Sequence, residues 1–315
     1  DFLFYQCRYL STESLSNAVT FYQATNCQLL NNRFFECGRT DTSFGHVVRL
    51  EYFSTNNTIA WNTFEGSTSM SIGIVASAST GNNNSSNAGN IIENNRFLNI
   101  RPVGEIFAGQ SNGLECVQVG QGVSASGAAS VNYVFSTQIR RNRFENVTGD
   151  GNEIISIKTS GNTVSENTVI NCNSAFSLRN GNNNAALGNF FINSDASLAN
   201  AGGINVVSGT GNVVANNYFS GLNKFAIQLY DRNGQSDRQQ VIGTRIAHNT
   251  FAYQRGNVMR LGQSVPSTAP SGTIVENNVW AQSASSVAIE RWTNSSLSMT
   301  YAGNYFWLTG SASLG

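Results

Sequence analysis

The sequence contains few charged residues and no long apolar run. Only 11% of its 315 residues are charged, and 18 basic residues balance 18 acidic ones, so the formal net charge is zero. This balance argues against a polybasic nucleic-acid surface and an acidic tail, so a polyanion would have to bind in a local cationic cleft. No run of 18 apolar residues occurs, and the sequence therefore predicts no membrane-spanning helix.

Cysteine is also scarce and lacks the spacing of a metal site. The five cysteines form no Cys-x-x-Cys pair, and their odd number predicts neither a zinc site nor a disulfide framework. We expect buried thiols, with a Cys7–Cys27 disulfide as the alternative. The chain begins at Asp1 rather than Met, which we interpret as a mature or trimmed form, and its composition is typical of a secreted or periplasmic protein.

One short signal recurs ten times along the chain. Its second residue is always asparagine, and successive asparagines lie 22 to 47 residues apart. Helical solenoids of similar period would show 3.6-residue periodicity, which is absent, whereas the coils of a parallel β-helix fit the pattern. The sequence therefore predicts one all-β domain over 1–315, a solenoid of about ten stacked coils. The signals are NNRF (31–34), WNTF (61–64), NNRF (94–97), RNRF (141–144), ENTV (166–169), GNFF (188–191), NNYF (216–219), HNTF (248–251), NNVW (277–280) and GNYF (303–306).

The conserved position of these asparagines within the repeat predicts a structural role. An asparagine at a fixed place in each coil bends the backbone and hydrogen-bonds to its equivalents above and below. The Phe and Tyr residues that follow it, such as Tyr218 and Phe219, are expected in the core.

A second predicted strand in each coil carries polar residues on its outer side. Alternation directs residues such as Ile155 and Ile157 inwards, so their neighbours should form a polar, partly cationic strip on an open sheet. The residues of this strip are Arg49, Glu51, Gln118, Ser156, Lys158, Ser177, Arg179, Asn205, Gln228, Tyr230, Arg260 and Glu290.

Two cations occupy equivalent points of adjacent repeats on this strip. Lys158 ends the segment IISIK and Arg179 ends the segment AFSLR. Removal of a proton beside a uronate carboxylate needs a base, a stabiliser for the leaving oxygen and neutralisation of the carboxylate. A neighbouring cation and partial burial both favour the neutral lysine that a base requires, whereas arginine remains a charged stabiliser. The alternative is a pair of solvated surface cations.

The segments around this pair resemble polysaccharide lyase family 6. This family contains the alginate lyases and the dermatan-cleaving chondroitinase B, which fold as right-handed, single-stranded parallel β-helices. The resemblance covers about 94–222, the expected catalytic coils, and the flanking coils agree only as repeats. The matching segments, in order, are RP (101–102), NGLE (112–115), VQVG (117–120), EIISIK (153–158), LRNGN (178–182), GNFF (188–191), GGI (202–204) and NNYF (216–219).

The resemblance implies roles for individual residues. Lys158 corresponds to the Brønsted base, and Arg179 to the catalytic acid or its electrostatic equivalent. Asn112 and Glu153 correspond to calcium ligands, but Gly151 stands where many members have a second acid. Calcium prefers six to eight oxygen ligands, so we expect no required cofactor, with calcium as the alternative. The expected substrate-binding residues are Gln118, Glu115, Asn205, Tyr230 and Arg260, with Glu115 either in this cluster or orienting the two cations.

The leading hypothesis is a lyase that cleaves a uronate-containing polysaccharide, alginate first, by β-elimination. One alternative is a dermatan sulfate lyase, and another is a non-catalytic carbohydrate-binding β-helix of the adhesin or spike type. An inverting glycoside hydrolase would need paired carboxylates, which the strip does not offer. We expect an acidic polysaccharide as partner, no nucleic acid or membrane, and a monomer.

Overall fold

A computed structural model describes most of the chain. The described residues are 2–9, 17–39, 45–75, 87–100, 113–121, 133–149, 153–229, 240–262, 269–283, 289–291 and 298–313. The predicted calcium ligand Asn112, the departure at Gly151 and the predicted substrate ligand Tyr230 lie outside these residues.

The described chain folds into short strands joined by tight turns. In the first half the strands are β1 Leu3–Tyr5, β2 Arg8–Tyr9, β3 Val19–Tyr22, β4 Gln28–Leu30, β5 Arg33–Phe35, β6 Gly38–Arg39, β7 His46–Glu51, β8 Thr58–Ala60, β9 Thr63–Glu65, β10 Met70–Ile74, β11 Ile91–Glu93, β12 Arg96–Leu98, β13 Val117–Val119, β14 Gln138–Arg140, β15 Arg143–Glu145, β16 Ile155–Ile157 and β17 Thr163–Ser165. In the second half they are β18 Thr168–Ile170, β19 Phe176–Leu178, β20 Ala185–Leu187, β21 Phe190–Ile192, β22 Ile204–Val206, β23 Gly209–Thr210, β24 Val213–Ala215, β25 Tyr218–Ser220, β26 Phe225–Leu229, β27 Val241–Ile242, β28 Arg245–Ala247, β29 Thr250–Ala252, β30 Asn257–Leu261, β31 Thr273–Glu276, β32 Val279–Gln282, β33 Ile289–Arg291, β34 Met299–Ala302 and β35 Tyr305–Leu308.

Each coil contributes one strand to each of three long parallel sheets. Following the chain through a coil, sheet I is β4-β8-β11-β14-β17-β20-β24-β28-β31-β34, and sheet II is β1-β5-β9-β12-β15-β18-β21-β25-β29-β32-β35. Sheet III is β3-β7-β10-β13-β16-β19-β22-β26-β30-β33, and the pairs β2-β6 and β23-β27 complete the pairing. The predicted parallel β-helix is confirmed. Among the described residues, no helix is long and apolar enough to cross a membrane.

Stacked phenylalanines fill the inside of sheet II. Phe34, Phe64, Phe97 and Phe144 follow one another with ring centroids 4.8, 5.1 and 4.8 Å apart and nearly parallel planes. Each ring is fully buried, as predicted. The prediction was wrong for tyrosine, because alternation turns the residue directly after the asparagine outwards, and Tyr305 is 64% exposed.

The asparagines of the repeated signal form the predicted ladder. The backbone N–H and the side-chain amide of Asn142 both donate to Oδ1 of Asn167, at 2.9 and 3.1 Å. Asn167 donates in the same way to Asn189, at 3.0 and 2.9 Å. The pattern continues from Asn32 to Asn304 and fixes the corner between sheets I and II in every coil.

A second ladder, which the sequence reasoning missed, lies five positions before the first. Asn162 donates its backbone N–H to Oδ1 of Asn184 at 2.9 Å, and Asn184 donates to Oδ1 of Asn212 at 3.0 Å. The constant spacing of five residues from the first ladder was the available signal. Together the ladders set the register that places sheet III.

The cysteines are all free thiols, so the alternative of a Cys7–Cys27 disulfide is wrong. Cys7 instead lies beside Cys37, and burial raises the pKa of the Cys37 thiol to about 12. Cys37, Cys116 and Cys172 are buried, as expected, but the expectation was wrong for Cys27, which is exposed, and for Cys7, which is half-buried.

Candidate active site

Lys158 and Arg179 lie at the same end of two neighbouring strands of sheet III. Ser156 of β16 pairs with Ser177 of β19, and each cation follows two residues later in its own coil. The backbone N–H of Lys158 donates to the carbonyl of Val119 at 2.8 Å, and that of Arg179 to the carbonyl of Ile157 at 2.9 Å. The parallel register therefore brings the two cations side by side, as the repeat predicted.

Lys158 is buried between an amide and a carboxylate. Its Nζ donates to Oε1 of Gln118 at 2.7 Å and lies 3.8 Å from Oε1 of Glu115. Only 7% of Lys158 is exposed, and Glu115 is fully buried. The ammonium is thus held in one position by groups from the preceding coil.

Glu115 is a carboxyl group in an unusual setting. Within the described part of the chain, neither of its oxygens has a hydrogen-bond partner. Burial raises the pKa of Glu115, the nearby positive charge of Lys158 opposes this rise, and the carboxylate of Glu153 adds to it. The structure places Glu115 beneath Lys158, so it contacts the proposed base rather than the solvent side of the strip.

Arg179 is anchored by Glu153. Its Nη1 donates to Oε2 of Glu153 at 3.1 Å, and the hydroxyl of Ser156 donates to the same oxygen at 2.9 Å. The Arg179 side chain is 27% exposed, whereas that of Glu153 is 8% exposed. The guanidinium is therefore the more exposed member of the pair and the carboxylate the more buried one.

The described donors do not make a calcium site. Of the two expected ligands, Asn112 lies outside the described residues, and Glu153 already binds Arg179 and Ser156. The neighbouring carboxyl of Glu115 lies 3.8 Å from Nζ of Lys158. A dication at these carboxylates would face both cations, and calcium prefers six to eight oxygen ligands. In the described part of the chain, no group of three His, Cys, Asp or Glu side chains is placed to hold a metal ion.

The middle of the strip is a row of paired strand positions that polar residues occupy, except at Gly73. Its register runs from Arg49 through Gly73 to Gln118, Ser156, Ser177, Asn205, Gln228, Arg260 and Glu290. The expectation of an open sheet was wrong here, because Gln118 and Asn205 are each only 4% exposed and Gln228 is 7% exposed. Neighbours one coil apart cover each other. Oδ1 of Asn205 and Oγ of Ser177 are buried without a hydrogen-bond partner among the described residues, so they are candidates to bind a ligand.

Lys224 and Phe225 extend this row and were missed by the sequence reasoning. Nζ of Lys224 and Cζ of Arg260 each lie 5.8 Å from the centre of the Phe225 ring. Burial lowers the pKa of Lys224, and the positive charge of Arg260 lowers it further. The predicted strand began at Ala226, whereas β26 begins at Phe225. The position of Lys224 directly before this strand was the available sign that it lies near the strip.

Other residues of the strip have structural partners. Nε of Arg49 donates to Oε2 of the buried Glu51 at 2.8 Å, which ties both residues to the sheet. Gly73 leaves room for the imidazole of His46, whose Cδ2 would lie 1.9 Å from an added Cβ. These residues lie on the N-terminal side of the Lys158 and Arg179 pair.

A model of a known protein family matches most of this chain. The chondroitinase B family model matches residues 19–256. Comparison with curated protein sequences gives no significant match.

Several solved structures share the fold. A PL6 family polysaccharide lyase from Pseudopedobacter saltans has a TM-score of 0.72 and 20% identity, covering 93% of this chain and 73% of its own. A mannuronic acid specific family 6 lyase from human gut microbiota has a TM-score of 0.62 and 19% identity, covering 91% and 69%. A PL6 alginate lyase in complex with a trisaccharide has a TM-score of 0.59 and 17% identity, covering 98% and 81%. Because the family model spans more than half of the sequence, the chain belongs to the chondroitinase B family, which is polysaccharide lyase family 6.

Proposed function

We propose that the protein cleaves a uronate-containing polysaccharide, with alginate as the first candidate, by β-elimination. The observation that carries this proposal is the pair of Lys158 and Arg179 in adjacent coils, with Lys158 bound to Gln118 beside Glu115 and Arg179 bound to Glu153. A base and a cationic stabiliser on one cleft wall are the two groups that the reaction requires.

In the proposed step, Nζ of Lys158 takes the proton from C5 of the uronate. The electron pair of the C5–H bond forms a C4=C5 double bond, and the glycosidic oxygen leaves C4 with the electrons of its own bond. Arg179 stabilises the charge that develops on this oxygen, which then takes up a proton. The products are a shortened chain and an unsaturated uronate at the new non-reducing end.

Protein donors are proposed to neutralise the substrate carboxylate, so no calcium is required. Oε1 of Gln118 accepts a hydrogen bond from Lys158. The NH₂ group of the same amide therefore points away from Lys158, and we propose that it donates to the substrate carboxylate. Arg179 supplies a formal charge beside it. Asn205 and Ser177 are proposed to bind sugar hydroxyls, and Arg260 with Lys224 a second carboxylate.

The test is the ultraviolet absorbance of the conjugated product, measured with mannuronate, guluronate and mixed alginate blocks and with dermatan sulfate. Lys158→Ala and Arg179→Ala are expected to abolish the signal while melting at a temperature close to that of the parent protein. Full activity in both variants would contradict the assignment of Lys158 and Arg179 as catalytic residues. Cleavage of dermatan sulfate alone would instead favour the second candidate, and binding of polymer without cleavage would favour a non-catalytic β-helix.

Dependence on calcium is tested separately by exhaustive chelation. Unchanged activity is expected, and complete loss that calcium restores would refute the proposed neutralisation by Gln118 and Arg179. We further propose a secreted or periplasmic monomer, which fractionation of the producing cells and sedimentation of the purified protein would check.

A further inference from the structure

A row of arginines lies on the outer face of sheet II, on a different sheet from the candidate active site. Arg33, Thr63, Arg96 and Arg143 are direct neighbours in successive strands. The side chains of the three arginines are 54%, 51% and 50% exposed. Successive coils are about 4.8 Å apart, so these cations follow the axis of the solenoid.

Acidic partners on the same face of sheet II hold these arginines. Arg33 binds Glu65 at 2.7 Å, and Arg96 and Arg143 both bind Glu145 at 2.6 Å. The acids are only 21% and 14% exposed, so the guanidinium groups are the more accessible members of each pair. A guanidinium that is already oriented loses less freedom when it binds a further anion.

The same arrangement continues around the corner onto sheet I. Arg140 binds Glu93 at 2.8 Å, and Arg141 binds the same carboxylate. The arginines are 32% and 45% exposed, against 17% for Glu93. We call Arg33, Arg96, Arg140, Arg141 and Arg143, with Glu65, Glu93 and Glu145, the arginine patch. These ion pairs contain five guanidinium groups and three carboxylates.

An exposed tryptophan lies at the edge of the arginine patch. Trp61 occupies the corner position before the ladder asparagine, where the other nine coils carry Asn, Gly, Arg, Glu or His. Its backbone has a φ of 61°, which is unfavourable for a bulky residue, and 60% of the side chain is exposed. Burial therefore does not explain this tryptophan. It lines a surface depression together with Asn31, Arg33 and Thr63.

We propose that the arginine patch and Trp61 form a second binding site for an acidic polysaccharide. Guanidinium groups bind carboxylates and sulfates in a bidentate manner, and an indole ring packs against the apolar face of a sugar. A column of cations along the solenoid axis matches a polymer that carries one acid group on each sugar. This site retains long polysaccharide chains on the enzyme. The inference rests on the proposed function only in its choice of an acidic polysaccharide as the ligand.

The experiment compares polymer binding in one catalytically disabled background, Lys158→Ala. The probes are sodium alginate and dermatan sulfate, with dextran as the neutral polymer and single-stranded DNA as the other polyanion, and Kd is measured by titration calorimetry. The triple variant Arg33→Gln, Arg96→Gln, Arg143→Gln is expected to weaken binding of the acidic polysaccharide at least tenfold, since each lost charge-assisted hydrogen bond changes Kd by about that factor. Trp61→Ala is expected to weaken it about threefold to tenfold.

Two matched controls lie outside the arginine patch. Arg245 is 52% exposed and binds Glu276 at 2.6 Å, and Trp307 is 56% exposed. Arg245→Gln and Trp307→Ala are expected to leave Kd unchanged. With Lys158 intact, the variants of the arginine patch should cleave a trisaccharide at the parent rate and long polymer with a raised KM.

Three outcomes would overturn the site: unchanged Kd in the variants of the arginine patch, equal losses in the two controls, or DNA that binds as tightly as the polysaccharide. The last result would assign the arginine patch to nucleic acid. Cleavage that persists in the Lys158→Ala background would contradict the proposed function alone, because all Kd comparisons are made within that background.

Discussion

Arg179 donates from Nη1 to Oε2 of Glu153 at 3.1 Å, across one coil of the solenoid. The same oxygen accepts the Ser156 hydroxyl at 2.9 Å, so it has two donors and a fixed position. Glu153 is only 6% exposed. In this arrangement the carboxylate orients the guanidinium towards the cleft.

Glu153→Gln should lower kcat through Arg179 and leave the fold intact. The amide keeps the shape of the side chain but removes a charge-assisted hydrogen bond of about 1.5–3 kcal/mol. We expect kcat to fall about 10- to 100-fold, because each 1.36 kcal/mol corresponds to a factor of ten in rate. Product absorbance gives kcat, and thermal unfolding checks the fold.

Ser156→Ala is the matched control for Glu153→Gln. It removes the other donor to Oε2 but leaves the ion pair, so we expect a smaller fall in kcat than in Glu153→Gln, because Arg179 keeps its charged partner. Equal losses in the two variants would show that the charge of Glu153 does not matter to Arg179.

Glu115 makes stability depend on pH in a direction that the structure fixes. Its pKa is raised in the folded protein, mainly by burial, so folding favours the protonated form. The stability that it contributes is therefore fully present below its unfolded pKa and is lost as pH rises through the raised folded pKa. Glu115→Gln cannot ionise, so the free energy of unfolding of the parent should fall relative to this variant as pH rises.

Urea unfolding at a series of pH values measures this difference, and Glu145→Gln is the control. Hydrogen bonds from Arg143 and Arg96 lower the pKa of Glu145. Its contribution is therefore present above its unfolded pKa and is lost as pH falls through the lowered folded pKa. The two variants should show opposite slopes against the parent, and parallel slopes would contradict the assignment for Glu115.

The repeated signal was sufficient to predict the scaffold. The asparagine in every signal predicted the ladder from Asn32 to Asn304, and the phenylalanine at the end of the signal predicted the buried rings, although not their stacking. Both follow from a pattern that repeats once in each coil, so local sequence carries the information. The adjacency of Lys158 and Arg179 followed from the same repeat.

The contacts of the site could not be read from the repeat. Lys158 and Gln118 are 40 residues apart, and their contact depends on which side chains turn towards each other across two coils. The burial of Asn205 likewise depends on its neighbours in the stacked coils. The alternation of residues along a strand predicts which side chains point out of the core, but not whether neighbouring side chains cover them. Lys224 was missed because it precedes the first residue of β26.

Lys224 should bind substrate in a manner that weakens at high pH. Its pKa is lowered by burial and by Arg260, so it loses its charge at a lower pH than an exposed lysine does. We expect Lys224→Ala to raise KM for polymer about fivefold to tenfold with kcat changed less than about twofold, because it removes a charge contact made equally in substrate and transition state. Initial rates across a series of pH values measure both constants.

Lys224→Arg keeps the charge at all working pH values and is the informative comparison. Its KM should stay flat over the alkaline range in which the KM of the parent rises. A parent KM that does not change over this range, or a Lys224→Ala variant that loses kcat instead, would place Lys224 outside the substrate-binding row.

The asparagine ladder should make the cost of a substitution depend on position along the solenoid. Asn167 lies in the middle, where it accepts from Asn142 and donates to Asn189 and to the carbonyl of Ile139. Asn167→Ala leaves several buried groups without partners and should lower the free energy of unfolding by about 2–4 kcal/mol. Asn304 is the last member of the ladder: it accepts from Asn278 and donates to the carbonyl of Val275, but it donates to no further asparagine and is only half-buried. Asn304→Ala should therefore cost less, about 1 kcal/mol. Urea unfolding compares the two variants, and equal costs would show that the ladder does not act as a cooperative chain of hydrogen bonds.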